Sequence, residues 1–323
     1  MPPACLPRYF IIASPKSISD KNKPWLKLFQ ELAKAEVIRL IVTDELHLIR
    51  DQGVALRDEF LYTGGRLISQ IRKDSPHTPL VAFSATAMID DIAFVETICR
   101  FKTTRIVWAT PTEMQKREVN ISMTFRTVFC SVAEKLIVPF IKSQSRFIVY
   151  VDFKNHVDGV AALLRQLARE SKVEDFNFLE IFGSLCPEMK AFFINVFCEN
   201  LVGAEYSQYR ALVGTTGASA TGIDPNVDAV FRNGCPPSRS TALQELGRLC
   251  RNGHPDTKYL YHVTLNVQSY VAHLCRTEKN EKACTSEKQR AHMEQLETMK
   301  MYVCMAQRIH SRCSRAPVRT TRF

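Results

Sequence analysis

The chain has 323 residues, 46% hydrophobic and 24% charged, a balance typical of a soluble globular protein with cores enough for two domains. No apolar run reaches the ~18 residues of a membrane helix. The opening MPPACLPRYF lacks the apolar stretch of a secretory signal, so no membrane association and an intracellular location are expected, nuclear if the source is a eukaryote. The 11 cysteines are irregularly spaced with no C-x-x-C pair, which fits reduced thiols, and the formal charge is +10.

Along the chain, short runs rich in Val, Ile and Leu alternate with longer amphipathic stretches, the pattern of parallel strands with crossover helices. Strands are expected at 9–13, 38–43, 80–84, 105–108, 147–151, 178–182, 211–215, 229–231 and 259–262. Helices are expected at 24–36, 54–72, 89–101, 156–171, 187–201 and 240–250. The elements form two α/β units joined near residues 110–130, where Pro111-Thr112 and a polar stretch break the pattern. Residues 266–310 then read as helical and charged, and 274–323 carry 11 Lys and Arg against 5 Asp and Glu. Such a tail suits a polyanion, nucleic acid first, and is equally the pattern of a solvated tail.

Four stretches carry chemistry. IRLIVTDELHLI (38–49) is an apolar strand that stops on Asp44-Glu45 and is followed by His47. Ligands bind at the C-terminal edge of open parallel sheets, so both acids are placed where Asp44 can hold a magnesium ion through water and Glu45 can orient a water toward a γ-phosphate. A solvated strand end before a helix gives the same letters. LVAFSATA (80–87) closes a second strand with Ser84 and Thr86, small hydroxyls able to bond an adjacent acid or histidine. LVGTTGASATGID (212–224) follows a strand with glycines and small hydroxyls that permit close backbone approach to phosphate, or simply a flexible loop. QELGRLCR (244–251) puts Arg248 and Arg251 three apart, on one face of a helix, where guanidinium groups can meet the oxygens of a transferring phosphoryl group.

In order and at this spacing, D-E-x-H, S-A-T, T-x(5)-G-I-D and Q-x-x-G-R-x-x-R resemble superfamily 2 helicases, most closely the RecQ family. Residues 215–253 follow the pattern of that family's motifs V and VI, and FIIASPKSI near the start resembles its Ser-Pro segment, with Lys16 where Glu is usual. The resemblance covers residues 9–262 and implies an α/β fold of two RecA-like parallel-sheet domains, the first incomplete, followed by a short helical segment. It implies a partial ATP-binding domain at 1–120, a C-terminal helicase domain at 121–265 and a basic helical tail at 266–323.

The implied activity is that of an ATP-dependent helicase moving 3′ to 5′ on single-stranded or forked DNA, with ATP and Mg2+ as cofactors. Carried over residue by residue, Asp44 serves the magnesium, Glu45 the attacking water, and His47 with Ser84 and Thr86 the coupling of nucleotide to DNA. Thr216, Gly222 and Asp224 contact backbone and nucleotide; Gln244, Arg248 and Arg251 reach the γ-phosphate, with Arg251 the finger. Ser14, Pro15 and Arg57 belong to segments that touch DNA.

The departures are specific. None of the 12 glycines is followed by lysine, so G-x-x-x-x-G-K-[ST] is absent and no turnover is expected from this chain alone. Only 43 residues precede Asp44, which reads as an N-terminally shortened copy whose first sheet lacks central strands and exposes an apolar edge. Gln52 and Leu56 stand where the family has Trp and Phe in its DNA-sensing loop, although Gly53 and Arg57 hold their places. Cys304, His310 and Cys313 resemble the start of the family's zinc platform, but without a C-x-x-C a zinc ion is not expected. Two alternatives remain beside the helicase: a non-catalytic nucleic-acid-binding remnant, and a superfamily 2 translocase acting on RNA.

Overall fold

A computed structural model of the chain describes residues 9–20, 24–45, 47–51, 58–84, 89–101, 104–107, 119–125, 129–173, 175–198, 203, 205–215, 225–236, 239–249 and 258–266. The chain divides into two compact units, Met1–Val107 and Trp108–Phe323.

In the first unit, β1 (Ile41–Thr43) and β2 (Leu80–Ala82) pair in parallel, Ile41 opposite Leu80 and Thr43 opposite Ala82. One face of this pair is turned inward. Ile41 and Leu80 pack on Ile49, Ile68, Val95 and Cys99, carried by the helices that follow each strand. The other face stays open, with Val42 and Phe83 each more than half exposed. The short helix α1 (Pro15–Ser19) and the amphipathic α2 (Trp25–Lys34) precede β1. After β1 come α3 (Leu48–Asp51) and α4 (Asp58–Leu61), which runs through a π-helical stretch at Tyr62–Ile68 into α5 (Ser69–Asp74). Helix α6 (Ile89–Cys99) follows β2.

Two expected strands of this unit do not form. Residues 9–13 and 104–107 are irregular, and Phe10, Ile12 and Val107 are almost wholly exposed. Their composition suits a strand, but among the described residues neither has a partner to supply the ladder.

The second unit is a six-stranded parallel sheet in the order β3-β8-β7-β4-β6-β5. Its strands are β3 (Val119–Phe125), β4 (Phe147–Val151), β5 (Asn177–Ile181), β6 (Tyr209–Thr215), β7 (Ala229–Asn233) and β8 (Tyr259–Leu265). Strand β4 is buried along its whole length because helices cover both faces, which is why FIVYV has no polar alternation. On one face Phe147, Val149 and Val151 pack beneath the π-helical stretch Ala133–Ile137 that continues α7 (Cys130–Val132), with α8 (Val138–Lys142) and α9 (Lys154–Glu170). On the other, Ile148 and Tyr150 pack beneath α10 (Pro187–Phe197) and α11 (Arg239–Leu246).

The stretch expected to join the units contains an edge strand, β3, which pairs in parallel with β8 from Val119 opposite Tyr259 to Phe125 opposite Leu265. Its hydroxyls meet a histidine of the neighbouring strand: Ser122 Oγ lies 2.6 Å from His262 Nδ1 and Thr124 Oγ1 3.1 Å from Nε2. The expected helix 240–250 ends early, at Leu246. Its tail tightens into turns with Arg248 N donating to the Glu245 carbonyl at 3.1 Å, and Leu249 makes an isolated bridge with Val227. The segment from 267 onward, with Cys304, His310 and Cys313, lies outside the described residues. No helix among the described residues is long and apolar enough to cross a membrane.

Candidate functional site

In the first unit, the parallel register brings the ends of β1 and β2 to one edge, where Phe83 N donates to the Thr43 carbonyl at 2.8 Å. Just beyond, Asp44 is exposed and its Oδ1 accepts from the Glu45 amide at 2.9 Å. Glu45 takes a left-handed backbone, φ +51°, which reverses the chain so that its carbonyl accepts from Leu48 N at 2.9 Å and α3 begins. A non-glycine residue held there is a strained position of the kind that clusters at working sites.

The turn sends His47 inward. Its ring is fully buried, with Nδ1 2.8 Å from Ser84 Oγ and 3.3 Å from Glu45 Oε2. Burial lowers the His47 pKa below its usual value, while Asp91 and Asp44 pull it up. With the proton on Nδ1 the ring donates toward Ser84 and Glu45; in the other tautomer it accepts from the Ser84 hydroxyl. The sequence-predicted residues Glu45, His47 and Ser84 are therefore one connected group. Sequence reasoning missed Asp91, which is 3% exposed in the first turn of α6. Its signal was ambiguous, because an acid there normally answers the helix dipole in solvent.

Ser14 and Pro15 open α1 in the manner of a helix start: Ser14 Oγ accepts from Ser17 N at 3.2 Å, and Pro15 occupies the first turn. Arg57, Thr86, Thr216, Gly222, Asp224 and Arg251 lie outside the described residues.

In the second unit, Gln244 sits on α11 and is half-buried, while Arg248 lies in the turn after it, buried against the sheet. Beneath Arg248 is the Tyr150 phenol at the end of β4, whose pKa burial raises and the Arg248 guanidinium pulls back down. A cluster that no motif announced adjoins this turn. Arg232 of β7, 1% exposed, bonds Glu245 Oε1 at 3.1 Å, the Cys235 carbonyl at 3.1 Å, and Asp152 at the end of β4. Tyr261 of β8 donates to Glu245 Oε2 at 3.0 Å. Gly234, φ +108°, leaves room for the Asp152 carboxylate, which any Cβ there would run into. Burial opposes the charge on Arg232, yet Glu245 and Asp152 outweigh it and hold the guanidinium pKa above its usual value.

These residues fit magnesium and nucleotide unequally. Asp44 is an exposed carboxylate at a sheet edge, suited to a magnesium ion that keeps most of its waters. No group of three or more metal-ligating side chains gathers among the described residues. Arg248 is a guanidinium of the kind that can meet phosphate oxygens, whereas the sequence has no G-x-x-x-x-G-K to cradle them.

No family model and no curated protein matches the chain. Solved structures do. A crystal structure of the DUF1998 helicase MrfA bound to DNA and AMPPNP is similar at 18% identity and a TM-score of 0.56, over 82% of this chain and 35% of that one. A crystal structure of T. fusca Cas3 with ADP is similar at 16% identity and a TM-score of 0.53, over 84% of this chain and 38% of its own. S. cerevisiae Dbp5 bound to RNA and ADP BeF3 is similar at 17% identity and a TM-score of 0.50, over 84% of this chain and 68% of its own. The chain thus spans about a third of the length of MrfA. What it shares with these proteins is the α/β parallel-sheet fold of RecA-like helicase domains.

Proposed function

We propose that the chain belongs to an ATP-dependent superfamily 2 helicase of RecQ type, acting 3′ to 5′ on single-stranded or forked DNA. The observation that carries this reading is the hydrogen bond between His47 and Ser84, which ties the D-E-x-H turn to the S-A-T strand end at one sheet edge. In this reading Asp44 holds the magnesium through water and Glu45 orients the attacking water. His47 and Ser84, with Thr86, relay between nucleotide and DNA. Gln244, Arg248 and Arg251 meet the γ-phosphate; Gly222 and Asp224 support the nucleotide side; Ser14, Pro15, Arg57 and Thr216 line the DNA path. When bound, magnesium and ATP supply the charge and the bond that is broken.

The chain itself is proposed to bind nucleic acid without turning over ATP, because it carries the two acids and the arginines but no Gly-Lys pair. A purified 323-residue chain is expected to show no DNA-stimulated phosphate release. Release that Glu45→Gln abolishes would overturn the non-catalytic reading and leave the helicase reading standing. Binding to single-stranded DNA and RNA of equal length, read by fluorescence anisotropy, tests the substrate; a clear preference for RNA would sink the RecQ assignment.

A further inference from the structure

Glu245 links the sheet to the turn that carries Arg248. Its backbone carbonyl accepts from Arg248 N, while its carboxylate is held by Arg232 on one oxygen and by the Tyr261 hydroxyl on the other. Arg232 in turn reaches the end of β4 through Asp152, and Gly234 keeps that approach open. Two adjacent strands, β7 and β8, therefore grip a single side chain one turn before Arg248, and the end of β4 braces the grip through Arg232.

We propose that Arg232 is a positioning residue that sets where Arg248 sits, acting through Glu245 and braced by Asp152 and Tyr261. A planar guanidinium can bond Glu245, Asp152 and the Cys235 carbonyl from one place, which a lysine ammonium on a flexible stem cannot reproduce. Removing one partner of a buried ion pair leaves the other charge uncompensated, so loss of Arg232 acts first on Glu245 and on the turn that Glu245 holds. The functional weight of this inference rests on reading Arg248 as a phosphate-facing arginine; the placement itself does not.

The test is arginine-selective labelling of the full chain with phenylglyoxal, without nucleotide, quantified by peptide mass spectrometry. Arg146 is the internal control, since it is 8% exposed in the same unit, with its guanidinium on the Phe197 carbonyl and over the Phe197 ring. Arg232→Met is expected to raise the labelling rate of Arg248 about tenfold or more while Arg146 stays protected. Tyr261→Phe, which removes one donor and keeps the ring, is expected to raise it about fivefold. Arg232→Lys should fall nearer to Arg232→Met than to the parent. If Arg248 and Arg146 rise together, the cluster only holds the fold and the proposal fails. No change at Arg248 in either variant also overturns it. Should Arg232→Met not fold, Tyr261→Phe decides alone. Because the readout needs no ATP, failure of the hydrolysis experiment leaves it untouched, and its own failure leaves the helicase reading untouched.

Discussion

His262 and His47 are both buried, and burial holds each below its ordinary pKa, His262 down to about 4. In the unfolded chain His262 takes up its proton near 6.5, so between 6.5 and about 4 the unfolded state binds more protons than the folded one. The stability associated with a neutral His262 is then fully present above 6.5 and lost as pH falls toward 4. Urea titrations at several pH values across that window should show the decline, and His262→Gln should flatten part of it; an unchanged slope in the variant would contradict the assignment. Gly234 supplies a second prediction at this scale. Its φ of +108° and the Asp152 carboxylate in the way of any Cβ mean that Gly234→Ala should cost about 1–3 kcal/mol, measurable as a lowered denaturation midpoint.

At the scale of elements, β4 gathers the aromatic core. Phe147 meets Phe140, Phe176, Phe178 and Phe231 with ring centroids 5.7 to 6.4 Å apart, so Phe147→Ala should cost about 3–5 kcal/mol, read by chemical denaturation. Strands of this type were legible in the sequence, because FIVYV, ALVGT and AVF are continuous apolar runs between helical stretches. Strand β3 carries a different signal. VNISMTF alternates apolar and polar residues strictly, the local mark of a half-buried strand, but it lacks the continuous apolar run of the other strands and so reads as part of a polar linker. Separation in sequence hid the Arg232 cluster: its members come from β4, β7, α11 and β8, and only the packed sheet makes them neighbours. The D-E-x-H and S-A-T segments were readable because their chemistry sits at consecutive positions on two adjacent strand ends, whereas Asp91, a helical acid, was readable only as a dipole partner.

At the scale of the whole molecule, the two units differ in how completely they bury themselves. The second has a core on each face of a six-stranded sheet, while the first leaves Val42 at 54% and Phe83 at 57% exposed on an open face. Local opening follows burial, so amides of β1 and β2 should exchange with deuterium well before those of β4. Equal protection of Val42 and Val149 would contradict this. The open face should also promote association, and Val42→Lys is expected to lower the self-associated fraction seen by analytical ultracentrifugation. The pairing of β3 with β8 has a kinetic consequence. Strand β3 is an outer strand whose neighbour is contributed by residues 259–265, so a ribosome must finish every other strand of this sheet before β3 can dock. Loop closure over so long a separation makes that docking a late and slow event in synthesis, during which the VNISMTF segment waits as an unmade strand.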